Sequence, residues 1–554
     1  MSRTLAQPGR GGISASRGGT TDIRMNVTLA APALAVSRPR IAVIGAGPGG
    51  LAAAMLLAAA GARVTVYEKD MEVGGRTRTL TSGQGYRFDL GPTFFLYPRI
   101  LSEIFAGCGA QLEEEVELIR LDPLYRLVFE GSASIDATAE VARMEQELAK
   151  LCPADARGLR PFLEENRRKL DAFRPALERP FLSPRAMMGP DMLRSLALLR
   201  PHRSVDADLA RHFRDPRVRL AFSFQTKYLG MSPFRCPSMF TILSYLEYAH
   251  GVFHPVGGCG AVSSAMACVA ERLGAEFRLG APVERIAFEG RRAAGVETGG
   301  RRYAADAVVV NADFAHAIPR LIPDALRQGG WDDRRIGRAR YSCSTFMLYL
   351  GLEGTLPGLA HHTVVLAEDY VRNIRQIERG VVPDRPSFYL QHATATDPSM
   401  APPGHSSLYL LVPVPNLRCA DDWASEAPRF RALALERLRT LGLGDLAPRI
   451  RYERMVTPRH WRDDYAVGFG ATFNLAHDFG QMLSFRPRNR FAGLEGVYLV
   501  GGGTHPGSGL PVIYEGARIS ARLLAEDLGL RFAAGAAHAE DRLPADAVPA
   551  LGMR

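Results

Sequence analysis

The sequence predicts an α/β fold, because a strand, a glycine-rich turn, a helix and a second strand follow one another near its start. Residues 41–44 (IAVI) form a short apolar run rich in β-branched side chains, which is typical of a buried parallel strand. Residues 51–60 contain only Ala, Leu and Met, which favour a helix, and Gly61 is well placed to end it. A second apolar run, 64–67, ends at Glu68. Together these stretches predict one complete βαβ unit.

The turn between the first strand and the helix matches the pattern GxGxxG at Gly45, Gly47 and Gly50. The first glycine permits a tight turn, the second lets a pyrophosphate approach the backbone, and the third lets the helix pack close to the strand. Glu68 stands where its carboxylate could accept hydrogen bonds from a ribose. A glycine-rich turn alone also occurs for packing reasons, but the whole combination predicts a Rossmann-type dinucleotide-binding unit.

The bulk properties predict a globular protein of more than one domain. A chain of 554 residues exceeds the size of a single ordinary core, and its 47% hydrophobic and 23% charged content is typical of folded proteins. The sequence contains no stretch of about 18 uninterrupted apolar residues, so we expect no transmembrane helix and at most peripheral membrane contact.

The cysteines and the net charge narrow the classes of partner. The seven cysteines are scattered and form no CxxC, which indicates neither a disulfide framework nor a zinc site and fits a reducing cytoplasm. The net charge is +10, but the basic residues are spread along the chain without a nucleic-acid motif. We therefore expect no nucleic acid partner, and an anionic membrane surface or a general arginine bias remain as explanations of the charge.

The nucleotide-binding domain is predicted to be discontinuous, because short apolar strands that end at polar or glycine-rich turns occur again later in the chain. An apolar strand at 308–310 ends at a polar turn, and a strand at 498–500 runs into a glycine-rich loop ahead of a helix. An inserted α+β substrate domain is expected to interrupt it twice. The predicted parts are a disordered extension 1–39, nucleotide-binding segments 40–125, 255–320 and 455–530, substrate segments 126–254 and 321–454, and a flexible tail 531–554.

A helical stretch at 191–200 is a candidate membrane-contacting region within the first substrate segment. Met192, Leu196 and Leu199 fall at helical spacing and are flanked by arginines. One interpretation is an ordinary core-facing helix. The other is an interfacial helix, with its apolar face in the lipid and its arginines at the phosphates.

Eight motifs together resemble one known family. They are GxGxxG followed by Glu68, GGRT at 74–77, FDLGPT at 88–93, HPVGGCGA at 254–261, NAD at 311–313, AHHT at 360–363, FRPRNR at 485–490 and LVGGGTHPGSGLP at 499–511. Residues 40–530 thereby resemble bacterial phytoene desaturases, the FAD-dependent carotenoid desaturases of the amine oxidase-like superfamily. Family members often read AGTHPGAGxPG where this chain has GGGTHPGSGLP, so the length of the polyene, C40 or C30, stays open.

The resemblance implies an FAD-dependent oxidoreductase of carotenoid biosynthesis that introduces double bonds into a lipophilic polyene by hydride transfer to flavin. It implies a cytoplasmic enzyme, peripherally associated with the inner membrane, with quinone or oxygen as electron acceptor. The residues expected to bind FAD are Gly45, Gly47, Gly50, Glu68, Gly75, Arg76, Val283, Gly503 and Pro511.

The expected catalytic residues are Asp191 and Arg194, which the resemblance suggests as an acid/base pair. A polyene offers no acidic proton, so desaturation requires removal of a hydride from one allylic carbon and of a proton from its neighbour. Asp191 is equally suited to cap the helix that it begins, and the family's aspartate could instead align with Ala186. No metal is expected, because the adjacent His361 and His362 have no third ligand close in sequence.

Other functions stay open at this stage. A dehydrosqualene (C30) desaturase or a carotenoid oxidase would share every motif. A flavin amine oxidase or porphyrinogen oxidase would share the opening motifs, but the amine oxidase should offer a polar, aromatic-caged pocket. A noncatalytic flavoprotein would bind FAD that a polyene cannot reduce.

Overall fold

The computed structural model describes residues 38–532, except residues 184, 186–188, 420–421 and 440 and the side chains of residues 190, 191, 193 and 194. Nearly all of the predicted N-terminal extension and of the predicted tail lies outside these residues. The strands, in chain order, are β1 (Arg40–Ile44), β2 (Arg63–Tyr67), β3 (Thr79–Thr81), β4 (Arg87–Asp89), β5 (Phe95–Leu96), β6 (Leu118–Arg120), β7 (Tyr125–Phe129), β8 (Ser134–Ala137), β9 (Val252–Pro255), β10 (Glu276–Arg278), β11 (Arg285–Glu289), β12 (Arg292–Thr298), β13 (Arg301–Ala304), β14 (Ala307–Val310), β15 (Ser344–Glu353), β16 (His362–Leu366), β17 (Phe388–Gln391), β18 (His405–Val414), β19 (Ile450–Val456) and β20 (Val497–Leu499).

The helices, in chain order, are α1 (Pro48–Ala59), α2 (Arg99–Gly107), α3 (Leu112–Glu115), α4 (Val141–Ala149), α5 (Pro153–Ala156), α6 (Leu159–Leu177), α7 (Pro190–Leu199), α8 (Val205–Leu209), α9 (Pro216–Ala221), α10 (Ile242–His250), α11 (Cys259–Arg272), α12 (Phe314–Leu321), α13 (Asp324–Arg327), α14 (Asp333–Arg338), α15 (Tyr370–Glu378), α16 (Trp423–Arg439), α17 (Pro458–Asp463) and α18 (Leu510–Asp527). A 3₁₀ segment at Phe224–Leu229 precedes α10.

A five-stranded parallel sheet, in the order β10-β2-β1-β14-β20, carries the predicted βαβ unit. Its strands come from three separate stretches of the chain, which confirms a discontinuous Rossmann-type sheet. Helix α1 packs against α11 and α18 as well as the sheet, and is buried along most of its length. This explains why its sequence is apolar on every side rather than on one stripe.

A second sheet of seven strands has the order β19-β15-β18-β17-β16-β7-β8 and is antiparallel except between β16 and β7. The sequence predicts strands at 345–352 and 408–413, and the structure confirms them at 344–353 and 405–414. Leu348, Leu350 and Leu410 pack in one cluster with Trp423 and Phe430 of α16, while Tyr349 and Tyr409 pack in another with Phe88. The two sets alternate along the strands, so the sheet has two buried faces.

The apolar, aromatic-rich sequence at 239–253 (MFTILSYLEYAHGVF) predicts one helix, but the structure divides this stretch. A 3₁₀ turn at Ser238–Thr241 leads into α10, and β9 begins at Val252. The helix ends because Gly251 has φ +87°, a conformation that glycine adopts without steric cost.

Helix α7 contains the stripe that suggested an interfacial helix. Met192 and Leu199 are 3% and 1% exposed and pack with Phe173 and Met482, whereas Leu196 is half-buried. The packing at these two positions is that of a core-facing helix. In the described residues, no helix is both long enough and apolar enough to cross a membrane.

The domain boundaries predicted above remain predictions.

Candidate active site

The glycine turn at the carboxyl end of β1 forms a cradle, which we define as Gly45, Gly47, Gly50 and Gly75. Gly45 has φ +96° and donates its N–H to the Tyr67 carbonyl oxygen at 2.8 Å. A Cβ on Gly50 would lie 2.1 Å from the Gly45 carbonyl oxygen, so helix α1 approaches the turn as closely as glycine allows. A Cβ on Gly75 would lie 3.3 Å from the Gly47 Cα. The cradle therefore leaves free backbone N–H groups beside the α1 N-terminus, an arrangement suited to phosphate.

Glu68 fixes the shape of this turn. Its carboxylate accepts hydrogen bonds from the backbone N–H of Ala46 at 2.7 Å and of Asp70 at 3.0 Å, and the residue is 6% exposed. Because each carboxylate oxygen has further lone pairs, these bonds leave capacity for a ribose hydroxyl. The ribose contact stays a prediction.

The remaining predicted cofactor residues divide into two groups. Arg76 lines the cavity described below and donates from Nη1 to the Thr472 carbonyl oxygen at 2.7 Å, and Pro511 lines the same cavity at the start of α18. Gly503 instead packs on Phe314, and a Cβ at Gly503 would lie 2.4 Å from the Phe314 Cβ. Val283 is half-buried against the core beside β11. Neither Gly503 nor Val283 lies on the cavity wall, so contact of these two with a cofactor stays a prediction.

Asn311 is a site residue that sequence reasoning included only within a motif. Its Nδ2 donates to the Gly45 carbonyl oxygen at 3.1 Å, and the side chain also lines the cavity. A Cβ on Gly47 would lie 3.1 Å from this Nδ2. Asn311 therefore ties β14 to the cradle.

A cavity of about 780 Å³ is continuous with the cradle. Gly47, Arg76, Gly502 and Pro511 line one part of it. The rest of its wall is mainly aliphatic and aromatic, including Phe94, Phe173, Leu243, Leu246, Met347 and Leu411. Its volume is in the range of about 300–1,000 Å³ that small-molecule sites have.

Two polar clusters lie at the cavity wall on either side of Phe94. In the first, the Tyr389 hydroxyl bonds Thr93 Oγ1 and His362 Nδ1, each at 2.7 Å, and the Phe94 ring stacks on His362 at 4.1 Å. Burial holds the pKa of His362 well below its usual range, so the imidazole is neutral. Among the residues described here, no group of three or more His, Cys, Asp or Glu is arranged to hold a metal ion.

The second cluster surrounds Glu247 of α10, which is fully buried behind the wall. Its Oε2 accepts hydrogen bonds from the Tyr125 hydroxyl at 2.9 Å and from Gln225 Nε2 at 2.8 Å. Tyr228 stands between this carboxyl group and the cavity, whose wall it forms in part. Sequence reasoning missed Glu247, because a single glutamate in an apolar helix gives no signal of what it meets.

The two predicted catalytic residues lie on α7. The helix begins at Pro190 with Gly189 as its N-cap, so the expectation that Asp191 caps the helix is wrong. Proline is favoured at the first helical position, and this places Asp191 one residue inside the helix. The side chains of Asp191 and Arg194, and the whole of Ala186, lie outside the described residues.

Comparison with known proteins identifies the family. The model of the flavin-containing amine oxidoreductases matches residues 48–528. Similar curated proteins are a 4,4'-diapophytoene desaturase of Methylomonas (42% identical; 89% of this chain and 96% of that one), an all-trans-zeta-carotene desaturase of Myxococcus xanthus (41%; 88% and 94%) and a lycopene-forming phytoene desaturase of Pantoea ananas (37%; 88% and 99%). The crystal structure of cyclohexylamine oxidase from Brevibacterium oxydans shares the fold, with a TM-score of 0.55 at 17% identity over 89% of this chain and 99% of that one.

The chain belongs to the flavin-containing amine oxidoreductases and, within them, to the phytoene desaturase type of carotenoid desaturase. FAD is the cofactor of this family. The site fits it, because side chains at Gly47 or Gly75 would fill the cradle that the pyrophosphate requires. The resemblance and cofactor inferred from the motifs are thus confirmed.

The cradle yields a first prediction. We expect Gly47→Val to abolish FAD binding while the protein still folds, because the side chain would occupy the pyrophosphate position and press only on the Asn311 amide. Flavin absorbance after gel filtration and thermal unfolding of the apoprotein measure the two effects. Gly83→Val is the matched control, since a Cβ there meets nothing within 4 Å. Full flavin content in folded Gly47→Val would contradict the role of the cradle.

Proposed function

We propose that the protein is an FAD-dependent carotenoid desaturase that introduces double bonds into a C40 or C30 polyene. The observation that carries the proposal is the apolar cavity that runs on from the cradle. Its aliphatic and aromatic wall suits a hydrocarbon chain. Relatives named as desaturases of diapophytoene, zeta-carotene and phytoene support the same substrate class.

An amine oxidase is less well supported. An amine substrate is polar, and its recognition requires hydrogen-bonding groups or a charge in the pocket. Leu243, Leu246, Met347 and Leu411 of the wall offer neither, and most of the wall area is apolar.

The division of labour follows from the chemistry of desaturation. Bound FAD supplies the oxidant for hydride removal. The protein's own residues position the polyene and exclude water. A hydrocarbon forms no hydrogen bonds, so the shape of the apolar wall must align its reacting carbons. The electrons leave to a quinone or to oxygen.

We also propose that the protein takes its substrate from a membrane surface, as a cytoplasmic enzyme bound peripherally to the inner membrane. Phe234 and Val371 are 36% and 38% exposed, and each adjoins Tyr370, by ring contact or in sequence. Arg235, which is exposed and also lines the cavity, follows Phe234 directly in sequence. Exposed apolar side chains beside cations suit contact with anionic lipid.

Asp191 and Arg194 remain the proposed acid/base pair on the family resemblance. Helix α7 supports this by its position, because Met192 and Leu199 pack with Phe173, Met482 and Leu483, which also form the cavity wall. The helix that carries the pair is therefore next to the cavity.

The function is tested by anaerobic reduction of the bound flavin by phytoene or dehydrosqualene in liposomes. We expect either polyene to bleach the flavin, and Leu246→Trp to slow this about tenfold or more by filling the cavity, with FAD retained. Leu279→Trp is the control, because Leu279 is 38% exposed and away from the cavity. A flavin that no polyene reduces would overturn the proposal, as would equal rates in the two variants.

The membrane contact is tested by co-sedimentation with anionic vesicles. We expect binding to weaken with added salt and in the double variant Phe234→Ser, Val371→Ser, because charge attraction and apolar insertion both contribute. Met71→Ser provides the control, since Met71 is apolar and 74% exposed elsewhere on the surface. Binding that ignores both salt and the double substitution would refute this surface.

The proposed pair is tested by Asp191→Asn. If Asp191 exchanges the proton, the rate of flavin reduction should fall at least about a hundredfold, since general acid/base catalysis contributes about 10²–10⁴. Stability should change by only about 0.3–1 kcal/mol, the contribution of a charge in the first turn of a helix. A rate within twofold of wild type would exclude Asp191 from the reaction.

A further inference from the structure

Glu247 is a buried carboxyl group with one oxygen unused. Its Oε2 is held by Tyr125 and Gln225, and no hydrogen-bond partner of Oε1 is found in the described part of the chain. Leaving a buried acceptor unsatisfied costs about 1–3 kcal/mol, so such groups call for a functional explanation.

The Tyr228 hydroxyl is the matching donor that also lacks a partner. It is buried and forms no hydrogen bond of acceptable geometry with the described residues. The two groups are nevertheless close enough to affect each other. Burial is the larger cause of the raised pKa of Tyr228, and the charge of Glu247 raises it further; Tyr228 in turn lowers the pKa of Glu247. Tyr228 lines the cavity, where its ring packs 5.4 Å from that of Phe94. Tyr228 is therefore the wall residue through which the cavity adjoins the carboxylate.

The surroundings of Glu247 poise it to exchange a proton near neutral pH. Burial raises its pKa from an ordinary 4.5 to about 7, against the hydrogen bonds from Gln225 and Tyr125 and the nearby Tyr228 hydroxyl, which lower it. The titratable groups that face it are Tyr125 of β7, Tyr228 of the 3₁₀ segment and Tyr248 of its own helix. No Lys, Arg or His of the described residues is among the groups that shift its pKa.

We propose that Glu247 takes up the proton that the polyene loses, through the Tyr228 hydroxyl. The inference rests on the proposed desaturase function and gives to Glu247 the proton that the proposed Asp191 and Arg194 pair would otherwise exchange, so the pH profiles of Asp191→Asn and Glu247→Gln distinguish the two assignments. Bound FAD would accept the hydride from one carbon; the C–H bond of the neighbouring carbon breaks and its electron pair becomes the new π bond. The proton passes to the Tyr228 oxygen while the Tyr228 proton passes to Glu247 Oε1, so Tyr228 is unchanged and Glu247 becomes a neutral carboxylic acid.

Three other groups at or behind the wall, His362, Cys343 and Lys227, are less suited to this role. His362 reaches the cavity through Tyr389, but burial depresses its pKa too far for it to hold a proton. Burial raises the pKa of the Cys343 thiol to about 12, so it is already protonated. Lys227, whose pKa burial lowers to about 8, is mostly a cation at neutral pH and repels a further proton.

The test compares Tyr228→Phe, Glu247→Gln and Tyr125→Phe with wild type in anaerobic flavin reduction by polyene between pH 5 and pH 9. The wild-type rate should rise with pH and level off above about 7, as the carboxylate forms. Tyr228→Phe and Glu247→Gln should lose at least about a hundredfold at pH 8 with FAD retained, and Glu247→Gln should lose the inflection. Tyr125→Phe should move the inflection to higher pH, because it removes a hydrogen bond that stabilises the carboxylate. Tyr86→Phe is the control: Tyr86 is buried, its hydroxyl bonds His405 Nδ1 at 2.6 Å, and it is not on the cavity wall.

Thermal unfolding supplies a readout independent of turnover. A carboxyl whose folded pKa is raised binds a proton in the native state between pH 4.5 and about 7 that the unfolded state has lost. Wild type should therefore lose stability relative to Glu247→Gln as pH rises through this window. A difference in Tm between wild type and Glu247→Gln that stays constant with pH would overturn the inference. So would an inflection in the pH profile of the rate that persists in Glu247→Gln and disappears in Asp191→Asn. Either result would leave the desaturase function intact. A wild-type flavin that no polyene reduces would overturn both.

Discussion

The close approach of helix α1 to the end of β1 is the constraint on which the site depends. A Cβ at Gly50 would stand 2.1 Å from the Gly45 carbonyl oxygen, so no other residue permits this distance. The turn is then fixed from two sides, by the Glu68 carboxylate on the Ala46 N–H and by the Asn311 amide on the Gly45 carbonyl. Gly47 and Pro48, at the α1 N-terminus, consequently line the cavity, so the proposed cofactor and substrate sites share one space.

The second sheet gives that space its chemistry. Tyr409 and Met347, from neighbouring strands, contribute to the cavity wall, and Tyr389 on β17 links the wall to His362. Apolar side chains thus form most of the wall area, and two of the polar groups of the wall, Tyr228 and Tyr389, are tyrosines backed by titratable residues. This combination of a dry wall and a small number of proton carriers suits a reaction that removes a hydride and a proton from adjacent carbons.

The parts of the fold that could be predicted from sequence are those fixed by local pattern. The βαβ unit, the cradle glycines and the long strands β15 and β18 follow from residue spacing and β-branched runs. The boundaries that failed turn on single residues: Gly251 divides α10 from β9, and Pro190 moves the start of α7 ahead of Asp191. Glu247 could not be recognised, because its partner Tyr125 lies 122 residues away and burial, rather than any motif, sets its pKa. Asn311 is similar, since the Gly45 carbonyl that it binds is 266 residues distant.

The central claim is that one cavity holds a polyene against the flavin. It is tested most directly by an experimental structure of the flavin-bound protein with a bound polyene. The account predicts polyene density along Leu243, Leu246 and Phe94, with an allylic carbon at about 3–3.5 Å from the reactive flavin atom. Density for the polyene outside this cavity, or flavin bound away from the cradle of Gly47 and Gly75, would contradict it.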